Sequence, residues 1–171
     1  MTNWGLGGAV PGAQRRLTER VRRECPHLLA IHGCGDLTAA KIVAETAGVE
    51  RFPTEAAFAR FAGVAPEPAW SGKTEGRMRY VRTGNRRLNA GLHRIAITQL
   101  RGGPGADYYR KRITHGDSPM AALRCLKRRV ARKVYACMKD ETATATATAR
   151  TTKGIAALPF SRHVITQRRT G

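Results

Sequence analysis

Residues 28–48 read LLAIHGCGDLTAAKIVAETAG, and this stretch decides the fold. Two short helical patterns lie on either side of the turn His32-Gly33-Cys34-Gly35. We expect Asp36 to cap the second helix and Gly48 to end it. Apolar residues recur at helical spacing along one face of that second helix: Leu37, Ala40, Val43, Ala44 and Ala47. The stretch therefore predicts two helices joined by a tight glycine turn, an arrangement like a helix–hairpin–helix.

The glycine turn is also a candidate nucleic-acid contact. Glycines allow a tight turn and let the backbone approach a phosphate without a Cβ in the way. The helix that follows offers unpaired N–H groups and a positive dipole end to that phosphate. Such contacts position DNA without reading its sequence. We predict Gly33 and Gly35 as nucleic-acid-binding residues, with an ordinary helical turn that contains glycines as the alternative.

Outward from this element, the chain is predicted to be all-α, with one small helical domain at residues 14–140. Further helical patterns lie at 14–24, 52–62, 85–101, 106–114 and 118–138. Residues 63–84 interrupt them with a long basic loop rich in Gly and Pro, and loops of this length are often functional. In the last helix, Ala122, Leu126, Val130 and Val134 form the expected core face.

The two ends of the chain lack this periodicity. Residues 1–13 are Gly-rich, which indicates a disordered start or a start fused to an older reading frame. Residues 141–152 read ETATATATARTT and are predicted to be a linker or frayed tail. We therefore expect residues 141–171 to be a low-complexity, basic and disordered tail.

The charge of the chain indicates a polyanionic partner. The chain has 31 Lys and Arg residues but only 12 Asp and Glu residues, which gives a formal net charge of +19. A surplus of this size repels itself unless a polyanion such as nucleic acid neutralises it. A protein with solvated basic faces is the blander alternative. No basic amphipathic stretch carries the aromatic face that membrane-surface helices use, so no membrane partner is predicted.

Other sequence signals are negative and narrow the function classes. The four cysteines form no CxxC pair and have no His at zinc-finger spacing, so no metal site is predicted. No signal peptide or membrane-length apolar stretch is recognisable. We expect a cytoplasmic protein of bacterial type, associated with the nucleoid.

The loop at 63–84 carries the candidate chemistry. Ser71 stands beside Gly72, and residues 68–101 contain eight Lys or Arg and one acid. Cations around a serine can hold a phosphate and stabilise charge on its oxygens. We predict these nucleic-acid-binding residues in and after the loop: Lys73, Arg77, Arg79, Arg82, Asn85, Arg86 and Arg87. Spacing alone favours a phosphate clamp over a nucleophile, because no His or Asp base lies near Ser71; a plain surface turn is a further alternative.

Several blocks in this order resemble one family. They are Ile31-His32-Gly33-Cys34-Gly35, Thr38-Ala39-Ala40, Phe52-Pro53, Ala57-Phe58, Ala62-Gly63-Val64-Ala65-Pro66, Ser71-Gly72 and Gly84-Asn85-Arg86-Arg87-Leu88. The family is that of the insertion-sequence transposases and recombinases that pair a RuvC-like DEDD domain with a guide called bridge RNA. The resemblance is to their C-terminal, serine-containing transposase domain and covers about residues 17–140.

The resemblance implies DNA transposition by site-specific recombination, with Ser71 as the catalytic nucleophile that joins covalently to a phosphate. It implies Mg²⁺ bound only through a DEDD domain, here supplied in trans. It also implies as partners the transposon ends, the target DNA, a guide RNA and DEDD-containing protomers. The DEDD domain has no counterpart in this sequence, so we expect a truncated copy that is inactive alone. Whether it is part of an enzyme or a non-catalytic DNA- or RNA-binding remnant that competes with a full-length transposase is left open.

Overall fold

The computed structural model describes residues 10–68, 78–79 and 83–156. The helices are α1 (Val10–Glu24), α2 (Pro26–Leu29), α3 (Asp36–Thr46), α4 (Glu55–Phe61), α5 (Arg86–Leu100), α6 (Pro104–Thr114) and α7 (Pro119–Ala156), with a 3-10 turn at Val49–Arg51. Two-residue strands β1 (Glu67–Pro68) and β2 (Met78–Arg79) pair antiparallel. The prediction of a small all-α domain is confirmed.

One hydrophobic core joins these helices, and it rests on aliphatic residues as the low aromatic content requires. The largest fully buried side chains are Phe58, Leu28, Ile42, Leu88, Leu92, Ile95, Leu126, Val49 and Val134. Each such side chain contributes about 1.5–3 kcal/mol by leaving water. The α7 residues Leu126, Val130 and Val134 are buried as their spacing predicts. Helices α2, α4, α5 and α6 pack against α7, while α3 packs between α1 and α5.

Helix α7 is longer than the sequence predicts. Residues 141–152, predicted to be a linker, instead continue the helix, which ends at Ala156. The hydroxyl of Thr142 donates to the carbonyl of Met138, and Thr144 and Thr146 repeat this bond four residues back. The threonines therefore satisfy their hydroxyls locally without leaving the helix, which composition alone does not reveal.

A long-range contact also requires α7 to continue past Met138. The Glu141 carboxylate accepts a hydrogen bond of 3.0 Å from the backbone N–H of Leu28, in the first turn of α2. It thereby satisfies one of the unpaired donors at that helix start. Burial raises the pKa of Glu141, and the bond from Leu28 opposes that rise.

The start of the chain differs from its prediction as well. Helix α1 begins at Val10, so residues 10–13 are helical and were wrongly predicted as irregular. Pro11 lies in the first turn, where its missing N–H costs no hydrogen bond. Asp36 was predicted to cap α3, but Gly35 is the cap and Asp36 is the first helical residue, ion-paired to Arg22 of α1 at 3.3 Å.

Candidate nucleic-acid interface

The turn between α2 and α3 packs against α5. Gly33 has φ +88°, a conformation that favours glycine, and a Cβ there would lie 2.9 Å from Cβ of Thr98 and 3.1 Å from the carbonyl oxygen of Ile95. The side chain of Gln99 donates a 3.0 Å hydrogen bond to the carbonyl of His32. The missing side chain of Gly33 is therefore explained by contact with α5, which is a structural use rather than an approach to a ligand.

Gly35 is placed differently from Gly33. Its φ is −78°, which any residue adopts, and a Cβ built there meets open space. Its carbonyl accepts the first backbone bonds of α3, from Thr38 and Ala39 at 2.9 Å each. No side chain caps this helix start, although Asp36 lies in its first turn and pairs with Arg22 of α1. Of the two predicted glycine contacts, only Gly35 faces space that a ligand can occupy.

The ends of the basic loop meet each other. Gly63 and Gly84 have φ +64° and +92°, and a Cβ at Gly63 would overlap the carbonyl oxygen of Thr83. A Cβ at Gly84 would lie 2.6 Å from both the Gly63 nitrogen and the Phe61 carbonyl oxygen. The N–H of Asn85 donates to that same carbonyl at 2.7 Å. Only glycine permits backbones this close, so these residues form a closed loop base.

Asn89 ties the loop base to the helices beneath it. Its side-chain amide donates to the carbonyl oxygens of Ala62 and Gly63, at 2.8 and 3.0 Å. Its Oδ1 accepts a 2.6 Å hydrogen bond from Nζ of Lys127 on α7. One side chain on α5 thus joins the end of α4, the loop base and α7.

Beyond the base, the loop contains the strands β1 and β2. In their backbone register, Glu67 lies opposite Arg79 and Pro68 lies opposite Met78. Four predicted site residues, Ser71, Lys73, Arg77 and Arg82, lie outside the described residues.

At the start of α5, the three predicted residues after the loop have different roles. Asn85 caps the helix: its side chain accepts hydrogen bonds from the N–H groups of Arg87 and Leu88, at 3.0 and 2.9 Å. It also donates to Oε2 of Glu45 at 2.9 Å. Helix capping explains Asn85 without a ligand.

The adjacent arginines stay accessible. Arg87 lies 3.6 Å from Oε1 of Glu45 yet its side chain is 78% exposed. Arg86 is exposed, and no described carboxylate pairs with it. An exposed ion pair of this kind contributes little to stability, so a phosphate can compete for Arg87. Both exposed arginines therefore lie in the first turn of α5, directly after the loop base.

Several basic residues of α7 make interhelical contacts. Arg128 and Arg132 both pair with Glu55 at the start of α4. Burial acts to raise the pKa of Glu55, and the hydrogen bonds from these two arginines outweigh it and lower that pKa. The Arg129 guanidinium lies 4.9 Å from the ring centre of Tyr108. These cations hold α4 and α6 to α7.

Metal and thiol chemistry find no support among the described residues. No group of three or more His, Cys, Asp or Glu side chains in that part of the chain could hold a metal ion. Burial raises the pKa of Cys25 to about 11 and that of Cys34 to about 12, so both thiols stay protonated near neutral pH. No helix in the described ranges is long and apolar enough to cross a membrane.

Comparison with known proteins identifies the family. The chain is 30% identical over 128 residues to the insertion element IS900 uncharacterized 42 kDa protein of Mycobacterium paratuberculosis. This alignment covers 72% of the present chain and 32% of that protein. It is 37% identical over 116 residues to the IS117 mini-circle protein of Streptomyces coelicolor, covering 66% of this chain and 27% of the relative. The chain thus spans about a third of the length of the curated relatives it matches. Residues 25–110 match the family described as Transposase IS116/IS110/IS902, and the protein belongs to that family of transposases.

Proposed function

We propose that this chain is the DNA-binding and candidate serine-nucleophile domain of an insertion-element transposase, acting in site-specific DNA recombination. The family match and the formal net charge of +19 support a role on DNA. The matched segment, residues 25–110, contains the closed loop base and Ser71. Transposon ends and target DNA are the proposed substrates, and a guide RNA is a further proposed partner.

The observation that carries this proposal is the closed loop base. Gly63 and Gly84 hold the two ends of the loop in backbone contact, and Asn89 fixes them to α5 and α7. A reacting group gains most when its support is rigid, because misplacement by about 1 Å can cost about 100-fold in rate. A fixed base for the loop that carries Ser71, with Arg86 and Arg87 following it in the chain, suits a residue that must meet a phosphate in one geometry.

The proposed chemistry is transfer of a phosphodiester bond to serine. The Ser71 oxygen attacks phosphorus, the P–O bond to the departing strand breaks, and that strand's oxygen takes up a proton as the serine gives one up. The departing strand leaves with a free hydroxyl, and the other strand stays joined to Ser71 through a phosphodiester. The hydroxyl of a second strand can later attack the same phosphorus, which releases the serine and takes up the proton that the hydroxyl gives up. Lys73, Arg77 and Arg79 are the proposed cations that stabilise the developing charge on the phosphate oxygens.

Activation of the serine is proposed to come from outside these residues. A serine hydroxyl is a weak nucleophile unless a base or a metal activates it. Magnesium requires oxygen ligands, usually carboxylates, and the described residues offer no cluster of them. We therefore propose a DEDD domain supplied in trans by another protomer as the Mg²⁺ site.

The test traps a covalent protein–DNA adduct on a denaturing gel. The chain is mixed with a DEDD-domain protein shown to be competent, guide RNA, Mg²⁺ and transposon-end DNA. We expect an adduct that maps to Ser71 and disappears in Ser71→Ala. The matched control is Ser118→Ala, because Ser118 accepts a backbone bond from Ala121 at the start of α7 and has no proposed role on DNA. The chain with Mg²⁺ but without its partner should form no adduct and leave the DNA intact.

Two results would overturn the assignment. An adduct on Tyr108, Tyr109 or another serine would move the nucleophile elsewhere. Cleavage by the chain alone that survives stringent purification would place the metal site within it.

The second candidate function is a non-catalytic DNA- or RNA-binding module that competes with a full-length transposase. It is favoured by the absence of a His or Asp base close to Ser71 in sequence. Under this function, Ser71 donates one hydrogen bond, and Ser71→Ala costs about 0.5–1.5 kcal/mol of binding. Failure to form an adduct with a competent partner, together with retained binding, would select this function.

A further inference from the structure

A half-buried lysine lies where α5 and α7 meet beneath the closed loop base. Lys127 projects from α7 toward α5, where its Nζ lies 2.6 Å from Oδ1 of Asn89. Asn89 in turn holds the carbonyl oxygens of Ala62 and Gly63. Lys127 is therefore one side chain away from the residues that fix the ends of the Ser71 loop.

Two further basic residues lie close to this position. His93 follows Asn89 by four residues and lies on the same side of α5, while Arg124 precedes Lys127 by three residues on α7. Burial lowers the pKa of Lys127, and the positive charge of Arg124 lowers it further. Burial likewise lowers the pKa of His93, and Lys127 adds to the effect. We call Arg124 and Lys127 the loop-base cations, and the imidazole of His93 lies beside them as a further hydrogen-bonding group.

Lys127 differs from the other interhelical cations in its partner. Arg128 and Arg132 reach Glu55, and Arg22 reaches Asp36. Within the described ranges, no carboxylate pairs with Lys127, and its contact there is a neutral amide. A half-buried charge without an opposite charge costs free energy, and that cost is offset when an anion occupies the site. The position therefore suits a negative group that the described residues do not provide.

We infer that the loop-base cations bind a backbone phosphate of the DNA strand presented to the Ser71 loop. This inference rests on the proposed function and adds a contact outside the loop itself. A phosphate fits because its oxygens accept from ammonium, guanidinium and imidazole donors together. A contact made through Lys127 and Asn89 also couples DNA binding to the loop base, so the strand and the serine loop share one support.

The test measures binding of a mixed-sequence duplex DNA over a range of salt concentrations. Lys127→Gln should weaken binding about 10-fold or more, as expected for loss of a hydrogen bond to a charged group. The slope of log affinity against log salt should also fall by about 0.9, the contribution of one phosphate contact. Lys127→Arg keeps the charge and should retain the slope.

The matched control is Lys139→Gln. Lys139 is an exposed lysine on the same helix, twelve residues further on, or about 18 Å along the axis. The Lys139→Gln variant loses the same formal charge as Lys127→Gln, but its slope of log affinity against log salt should stay at the wild-type value. If Lys127→Gln does not fold by circular dichroism, Arg124→Gln on the exposed side of the same cluster replaces it, with the same expected loss.

The outcomes separate this inference from the proposed function. If the wild-type chain binds DNA without salt dependence or not at all, the proposed function fails. If the wild-type chain binds as expected but Lys127→Gln, or its folded replacement, matches Lys139→Gln in affinity and slope, the loop-base cations do not contact phosphate and this inference alone is wrong.

Discussion

The two glycines of the α2–α3 turn give a prediction that separates structure from binding. Gly33→Ala and Gly35→Ala each add one methyl group, two residues apart in the same turn. Gly33 has φ +88° and lies against α5, whereas Gly35 has φ −78° and faces open space. We expect the first variant to lose stability and the second to lose DNA affinity while staying folded.

The magnitudes follow from the local geometry. A left-handed backbone costs a residue with a Cβ about 1–2 kcal/mol. The new methyl of Gly33→Ala would also lie 2.9 Å from Cβ of Thr98, and relieving such overpacking costs about 1–3 kcal/mol. The free energy of unfolding should therefore fall by about 2–5 kcal/mol. For Gly35→Ala, lower entropy of the unfolded chain stabilises by about 0.4–1 kcal/mol, and replacing a glycine cap offsets this by a similar amount.

Urea unfolding followed by circular dichroism measures the first effect, and titration with duplex DNA measures the second. If the turn approaches a phosphate at Gly35, the Gly35→Ala variant should bind about 10-fold more weakly at unchanged stability. Wild-type affinity in that variant would return Gly35 to the ordinary-turn interpretation. A Gly33→Ala variant as stable as the wild type would refute the packing argument.

Two further predictions concern the loop base and the buried thiols. Asn89→Ala removes three hydrogen bonds, so the free energy of unfolding should fall by about 2–4 kcal/mol. Trypsin should also cleave faster between residues 64 and 83. An unchanged free energy of unfolding and an unchanged cleavage rate would contradict the role of Asn89. Burial raises the pKa of Cys34 from 9.0 to about 12, and the nearby Cys137 and Glu141 add to the rise. Above pH 9 the folded state therefore keeps the thiol proton that the unfolded state loses. The free energy of unfolding should then fall as the pH rises above 9. The fall due to this thiol is about 2 kcal/mol between pH 9.5 and 11, and thermal unfolding of Cys34→Ala across that range should lack it; an equally steep fall would exclude Cys34 as the cause.

The helical class of this domain could be predicted because its apolar residues repeat at helical spacing. Leu126, Val130 and Val134 lie in the core for that reason. The end of α7 could not, because alternating Thr and Ala carries no apolar period. There the threonine hydroxyls bond back to carbonyls within the helix, and Glu141 contacts Leu28 across 113 positions, which no local pattern reveals.

The sequence could indicate which residues belong to the candidate site, but not the tertiary contacts that hold them in place. The sequence marks Gly33 and Gly35 alike, yet only the tertiary contact of Gly33 with Thr98 tells the two apart. Asn85 was predicted to bind nucleic acid from its place among arginines, and its bonds to Arg87 and Leu88 show that it caps a helix. Lys127 and Asn89 are separated by 38 positions, so no local pattern reveals that they meet.

The closed loop base has an evolutionary consequence. Because Gly63 and Gly84 lie in contact, the folded helices already hold the two ends of the loop together. The entropic cost of closing the loop then grows only slowly as the loop becomes longer. Insertions and substitutions after the buried Val64 and before Gly84 can therefore accumulate without disturbing the core, as long as the glycines and Asn89 persist. Under the proposed function, relatives that inherit the same fold can then differ in this segment and hence in the nucleic acid that it contacts.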